Sequence, residues 1–220
     1  MKRLSLRLKE ICNLAKSPKR VADVGCDHGK VLGYLVDNCN PEYVIASDIS
    51  APSVEKAKKL LQKQNKVKFD VRVGNGFSTL TNKDKLDTII IAGMGGLEII
   101  SILSNCNINV PKLILQPQNN VVKLRRYLNQ QNYSILNDFV IREKHIFYTI
   151  LEVERGNQNL TELQLKYGVN VNNPNKQLLE YLDFVKSEYE KRLNLVSELK
   201  KEELINEISE IDSVKKGKEN

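Results

Sequence analysis

Val21-Ala-Asp-Val-Gly-Cys-Asp-His-Gly29 is a short apolar run that stops abruptly in acidic residues and glycines. Two further stretches end in the same way: Val44-Ile-Ala-Ser-Asp48 and Ile89-Ile-Ile-Ala-Gly-Met-Gly-Gly96. Strands buried on both faces of a parallel sheet read as near-continuous apolar runs. In an open α/β sheet, ligands sit beyond the carboxyl ends of such strands, close to the point where strand order reverses. Three endings of this kind in one domain predict a single nucleotide-like cofactor held at several points.

Working outward, strands and helices alternate. Strands are expected near 20–25, 43–47, 67–73, 86–92 and 110–116, and helices near 29–38, 51–64, 94–105 and 119–130. Ser50, with Pro52 and Glu55 after it, marks a helix start. Ahead of the first strand, Leu4, Leu8, Ile11, Leu14 and Ala15 form a helical stripe over 3–16 with basic residues opposite. This rhythm predicts an α/β domain, a mostly parallel sheet with helices on both faces. The rhythm breaks at the end. Segments 133–141 and 145–153 are both strand-like, and only Arg142-Glu-Lys144 separates them. Three residues cannot hold a crossover helix, so the pair must be an antiparallel hairpin. A parallel sheet closed by an antiparallel strand is the pattern of class I Rossmann-like methyltransferases; a dinucleotide-binding dehydrogenase sheet would continue with another helix.

Gly156-Asn-Gln-Asn159 reads as a linker and Asn170-Val-Asn-Asn-Pro174 as a second break. Beyond Asn175, apolar residues from Leu178 to Ile211 recur mostly at spacings of three and four, with Glu and Lys between them, which is coiled-coil character. Two antiparallel helices are preferred, because a single stripe would stay exposed. No Gly or Pro between Asn175 and Gly217 marks the turn, so one long dimerising helix remains the alternative, and the chain is expected to be a monomer or weak dimer. The tail from Lys215 is expected to fray. The expected domains are a methyltransferase unit over 1–155 and a small helical coiled-coil unit over 156–220.

Composition narrows the partners. The 220 residues are 41% hydrophobic and 28% charged, enough for one full domain with an appendage. No apolar run is long enough to span a bilayer, and the start lacks a signal-peptide segment. Cys12, Cys26, Cys39 and Cys106 show no Cys-x-x-Cys spacing; no metal site is expected, and reduced thiols fit a cytoplasmic protein. The net charge is +7, and residues 1–20 carry seven basic residues against Glu10 alone. A basic face at the start of the first domain suggests a polyanionic partner; a merely solvated basic helix is the plainer alternative.

The loop after the first strand selects the cofactor. Asp27 stands where the nucleotide fingerprint Gly-x-Gly-x-x-Gly has its second glycine. A pyrophosphate would meet a carboxylate there. S-adenosylmethionine has no phosphate and carries a sulfonium and an ammonium, so acidic residues suit it. Asp48 follows Gly25 by about the spacing at which an acid receives ribose hydroxyls. Gly74-Asn-Gly-Phe77 would lie beside the adenine, with Asn75 offering both a donor and an acceptor and Phe77 an apolar wall. Ala92-Gly-Met-Gly-Gly96 would let backbone approach the reacting centre. The expected cofactor-binding residues are Asp23, Gly25, Cys26, His28, Asp48, Ile49, Asn75, Gly76, Phe77, Ala92, Gly93 and Met94.

Taken together, Asp23-Val-Gly-Cys-Asp-His28, Ser47-Asp48, Gly74-Asn-Gly76, Ile91-Ala-Gly-Met-Gly-Gly96 and Leu115-Gln-Pro117 resemble the bacterial tRNA adenine-22 N1-methyltransferases, as does Leu4-Ser-Leu-Arg-Leu8. The resemblance covers nearly the whole chain and departs at Asn75, where the family usually has Asp, and at Gln118, where it usually has Asn. It implies a tRNA substrate, methylation of adenine N1, and roles for Asp27 in catalysis and Arg7 in positioning the target. Chemistry supports a carboxylate independently. N1 of neutral adenine has a free lone pair, and positive charge develops on N1 and the exocyclic amine as it is methylated. A carboxylate accepting from that amine favours the transition state over the ground state, and Asp27 is the candidate. Its plainer reading is a helix N-cap. Reaching N1 in folded tRNA requires the base to leave its stack. Lys2, Arg3, Arg7 and Lys9 are expected on the phosphate-binding surface, with Gln116 and Pro117 beside the target. The alternatives are a methyltransferase acting on a small molecule or protein, and a non-catalytic RNA-binding module on the same fold.

Overall fold

The computed structural model describes residues 4–109 and 112–216; Lys2 and Arg3 lie outside them. A seven-stranded sheet runs in the order β3-β2-β1-β4-β5-β7-β6. β1 (Arg20–Val24), β2 (Tyr43–Asp48), β3 (Lys68–Val73), β4 (Thr88–Met94) and β5 (Lys112–Pro117) are parallel. β6 (Tyr133–Glu143) and β7 (Ile146–Arg155) form the expected antiparallel hairpin, with β7 inserted beside β5. The chain moves outward from β1 to β3, then returns to place β4 on the other side of β1. Strand order therefore reverses between β1 and β4, where a ligand crevice belongs.

Alternate residues along each strand divide the core into two layers, as the pleat requires. On one face, Val21, Val44, Ala46, Ile90 and Ile114 pack against α1 (Leu6–Ala15), α2 (Lys30–Cys39) and α3 (Ala51–Gln64). On the other, Ala22, Ile45, Ile89, Ile91 and Leu113 meet α4 (Gly96–Ser104) and α5 (Val121–Gln130). The Ser50 hydroxyl caps α3 by accepting from the Ser53 amide, with Pro52 in the first turn.

The C-terminal region contains one element not expected from the sequence, α6 (Glu162–Tyr167), between the linker at 156–159 and the break at 170–174. Its signal was local: Thr161 and Gln164 form a reciprocal capping box. α7 (Lys176–Arg192) and α8 (Glu198–Lys216) follow as two helices. The ion pairs Lys186–Asp212 and Asp183–Lys215 fix an antiparallel arrangement, since the earlier residue of one pair meets the later residue of the other helix. The turn needs neither Gly nor Pro, because Leu193 keeps right-handed dihedrals (φ −52°, ψ −37°) that any L residue adopts. Leu178, Leu182 and Ile211 pack with Tyr167 and Val171 onto Val140 of β6, so the helical unit rests on the sheet's edge hairpin. Below this contact, Arg125 of α5 pairs with Asp138 of β6 at 2.8 Å, both side chains buried. Arg125 Nη1 also donates to the Leu165 and Lys166 carbonyls of α6.

Candidate active site

The carboxyl ends of β1, β2 and β4 open onto a cleft of about 500 Å³. The turn after β1 sets its shape. Gly25 and Cys26 amides both donate to the Ser47 carbonyl at 2.8 and 3.0 Å, and Gly29 donates back to Cys26 at 2.8 Å. Gly25 takes φ +77°, and a Cβ there would collide with the Met94 methyl across the cleft. The positive φ favours glycine here, and any side chain would also displace the Met94 methyl. Asp48 ties the two strand ends together: its Oδ2 accepts from the Asp27 amide at 3.0 Å and its Oδ1 from the Ser50 amide at 2.9 Å.

Three carboxylates thus converge on one crevice. Asp23 is almost fully buried at the end of β1, and burial, together with Asp48 and Asp27, pushes its pKa up to about 7. Asp27 projects with its side chain 68% exposed, 3.5 Å from His28 Nε2. It is not a helix cap: Gly29 occupies the cap position of α2, where no side-chain capping bond forms. His28 sits between Asp27 and Lys56, whose Nζ lies 2.8 Å from Nε2. No group of three or more His, Cys, Asp or Glu residues among those described could hold a metal ion.

The far wall comes from β4 and β5. The ladder between them shifts register at Ala92/Met94, and Gly93 bridges the shift with φ +82°. That ejects Gly93 from the sheet and exposes it in the cleft. Arg7 reaches the same wall from α1: its Nη1 donates to Gln116, and its guanidinium stands 5.1 Å from the centre of the Tyr148 ring.

The cleft brings together Arg7, Asp23, Gly25, Cys26, Asp27, His28, Asp48, Ile49, Asn75, Gly76, Ala92, Gly93 and Met94. Phe77 departs from expectation: the 3-10 turn at Gly76–Thr79 rotates its ring into the core, 2% exposed. Ile49, 75% exposed, and Ile102 supply apolar lining instead. Gln116 and Pro117 are buried beneath the wall, and Gln116 reaches the cleft through its bond to Arg7. Lys9 is half-buried on α1 outside the lining. Residues not assigned to the site from the sequence also line it, among them Lys30, Val31, Glu98 and Ile102, together with Leu8 of the α1 stripe. Glu98 and Ile102 lie one turn apart on α4 and so share a face, a signal that could have been read once the helix start was fixed.

A seven-stranded sheet with an antiparallel penultimate strand in space, and an acidic crevice at its switch point, defines a class I methyltransferase. The family described as TrmK, tRNA (adenine(22)-N(1))-methyltransferase, matches residues 21–218, and the chain belongs to it. A Bacillus subtilis tRNA (adenine(22)-N(1))-methyltransferase is 30% identical over 161 residues, covering 71% of this chain and 67% of that protein. A Mycoplasma capricolum TrmK, solved with S-adenosyl-homocysteine, superposes with a TM-score of 0.82 at 27% identity over 96% of each chain. A Streptococcus pneumoniae protein solved with S-adenosyl-L-methionine gives 0.85 at 26% identity, covering 96% of this chain and 99% of that one.

Proposed function

We propose that this chain transfers a methyl group from S-adenosyl-L-methionine to N1 of adenine 22 in tRNA, with Asp27 as the carboxylate facing the target base. One observation carries the cofactor reading: Asp23, Asp27 and Asp48 crowd a single crevice. Burial first, and the nearby carboxylates of Asp48 and Asp27 second, push Asp23 up to about 7, so the crevice disfavours further negative charge. A cationic ligand would offset the charge already there, whereas a phosphate would add to it. The residues therefore fit S-adenosyl-L-methionine: Asp23 for its ammonium, Asp48 for ribose hydroxyls, and Ile49 with Asn75 beside the adenine. The bound cofactor supplies an electrophilic methyl on a sulfonium. Bound there, it would give that methyl to the N1 lone pair of the target, the C–S bonding pair remaining on sulfur. No proton must leave before attack.

The protein's contribution is placement and charge. Asp27 accepts from the exocyclic amine, which becomes more acidic as N1 is methylated, so that hydrogen bond strengthens along the reaction. Arg7, held by Gln116 and Tyr148, anchors the wall against which the base is set. Lys9, Lys30 and the basic start of the chain engage phosphates. The helical unit after residue 155 serves as a second tRNA contact, and the four free cysteines suit a reducing cytoplasm. The test is to incubate the protein with labelled S-adenosyl-L-methionine and unmodified tRNA, digest to nucleosides and separate them. Label in 1-methyladenosine is expected; label in N6-methyladenosine, or in no nucleoside, would overturn the reading.

A further inference from the structure

Gly93 forms the bare floor of a slot. It is exposed at the register shift of β4, and a Cβ built on it would stand 3.9 Å from both Arg7 Nη1 and Gln118 Nε2. The two flanking side chains differ in freedom. Arg7 is committed to Gln116 and stacked on Tyr148. Gln118 is fixed only through its backbone, whose amide donates to the Met94 carbonyl at 2.8 Å. Its side-chain amide is exposed in the cleft and, among the described residues, has no hydrogen-bond partner. An uncommitted amide beside bare backbone, next to Met94 on the cofactor wall, is placed to read a planar group.

We propose that Gln118 is the residue that selects adenine as the methyl acceptor. Adenine presents an acceptor at N7 and a donor at N6 on its Hoogsteen edge, and a glutamine amide matches both at once. That mode leaves N1 free for methylation. Guanine presents two acceptors, O6 and N7, on the same edge; the Gln118 oxygen would then oppose one of them. The N6 amine has two hydrogens. Gln118 takes the one beside N7, and Asp27 takes the one beside N1. Gln118 is thus a specificity-determining residue with no contact to the cofactor required. This inference rests on the proposed reaction at adenine N1.

The test uses full-length protein and tRNA ligated from synthetic halves, carrying either adenosine or 7-deazaadenosine at position 22. Q118A and Q118E are compared with the unaltered chain, and S-adenosyl-homocysteine binding reports that each variant is folded. For the unaltered protein, loss of N7 is expected to lower kcat/KM roughly tenfold, mainly through KM. Q118A should lower kcat/KM on the adenosine tRNA by a similar factor and erase the difference between the two RNAs. Q118E, whose carboxylate repels the N7 lone pair, should reverse the preference. Equal rates on both RNAs with the unaltered protein, or a penalty for 7-deazaadenosine that persists in Q118A, would overturn the assignment of Gln118 while leaving the reaction intact. No transfer by the unaltered protein to the adenosine tRNA would instead remove the reaction itself, and the inference with it.

Discussion

Asp23 lies at the end of β1 and Asp27 follows four residues later in the turn after it, and they differ sharply in burial. Asp27 is mostly exposed and free of a capping role, which leaves its carboxylate free for the role proposed for it. Asp27→Asn keeps the shape and removes the charge. Its kcat is expected to fall about 100-fold, the usual effect of losing one preorganised electrostatic partner, with S-adenosyl-homocysteine affinity kept within a factor of a few. An unchanged kcat would remove Asp27 from catalysis. Asp23 is buried, and its pKa is raised from the ordinary carboxylate value to about 7. The ammonium of the cofactor or its product binds best when Asp23 is ionised. Affinity for S-adenosyl-homocysteine should therefore rise up to tenfold per pH unit below about pH 7 and level off above it. Stability runs the other way. The unfolded chain loses this proton near pH 4 and the folded chain near 7, so Asp23 withdraws stability as pH rises across that window. Asp23→Asn should flatten the affinity profile and raise the melting temperature above pH 7; a pH-independent affinity in the unaltered protein would contradict the ligand role.

At the scale of elements, the buried Arg125–Asp138 pair decides whether the helical unit stays on the sheet. Arg125 bonds Asp138 and two α6 carbonyls, and Asp138 also accepts from the Val169 amide at 3.2 Å. Arg125→Ala strands a buried carboxylate and should cost about 3–5 kcal/mol in urea unfolding. Arg125→Ala with Asp138→Ala should cost less than the sum of the two single changes. Strict additivity would show that the pair is not a unit. Most of these elements were legible in the sequence, because β1, β2 and β4 are buried on both faces and read as continuous apolar runs. α3 was legible to the residue through Ser50 and Pro52. α6 was not: it has one buried leucine and one buried tyrosine, too few for a periodic stripe. The rotation of Phe77 into the core was hidden for a different reason. An aromatic beside glycines reads equally well as a wall or as a core residue, and only the 3-10 turn separates the two. The convergence of Arg7, Gly93 and Gln118 joins three separate elements, α1, β4 and the end of β5, around a bulge that no local pattern reports.

Over the whole molecule, the overall charge and that of the cleft differ in sign. The net charge is +7, while the cleft itself is acidic. tRNA affinity should therefore fall linearly with salt on a log–log plot, and S-adenosyl-homocysteine affinity should hardly change. Lys9→Ala and Lys30→Ala, if each removes one phosphate contact, should each reduce the magnitude of the tRNA slope by about 0.7–0.9. A slope unaffected by both would place the tRNA on another face. The most direct measurement of the central claim is methyl transfer to two tRNA transcripts that differ only at position 22, adenine in one and guanine in the other, mapped by reverse transcription. The account predicts a stop at position 22 in the adenine transcript alone. A stop elsewhere, stops in both, or no transfer to either would contradict it.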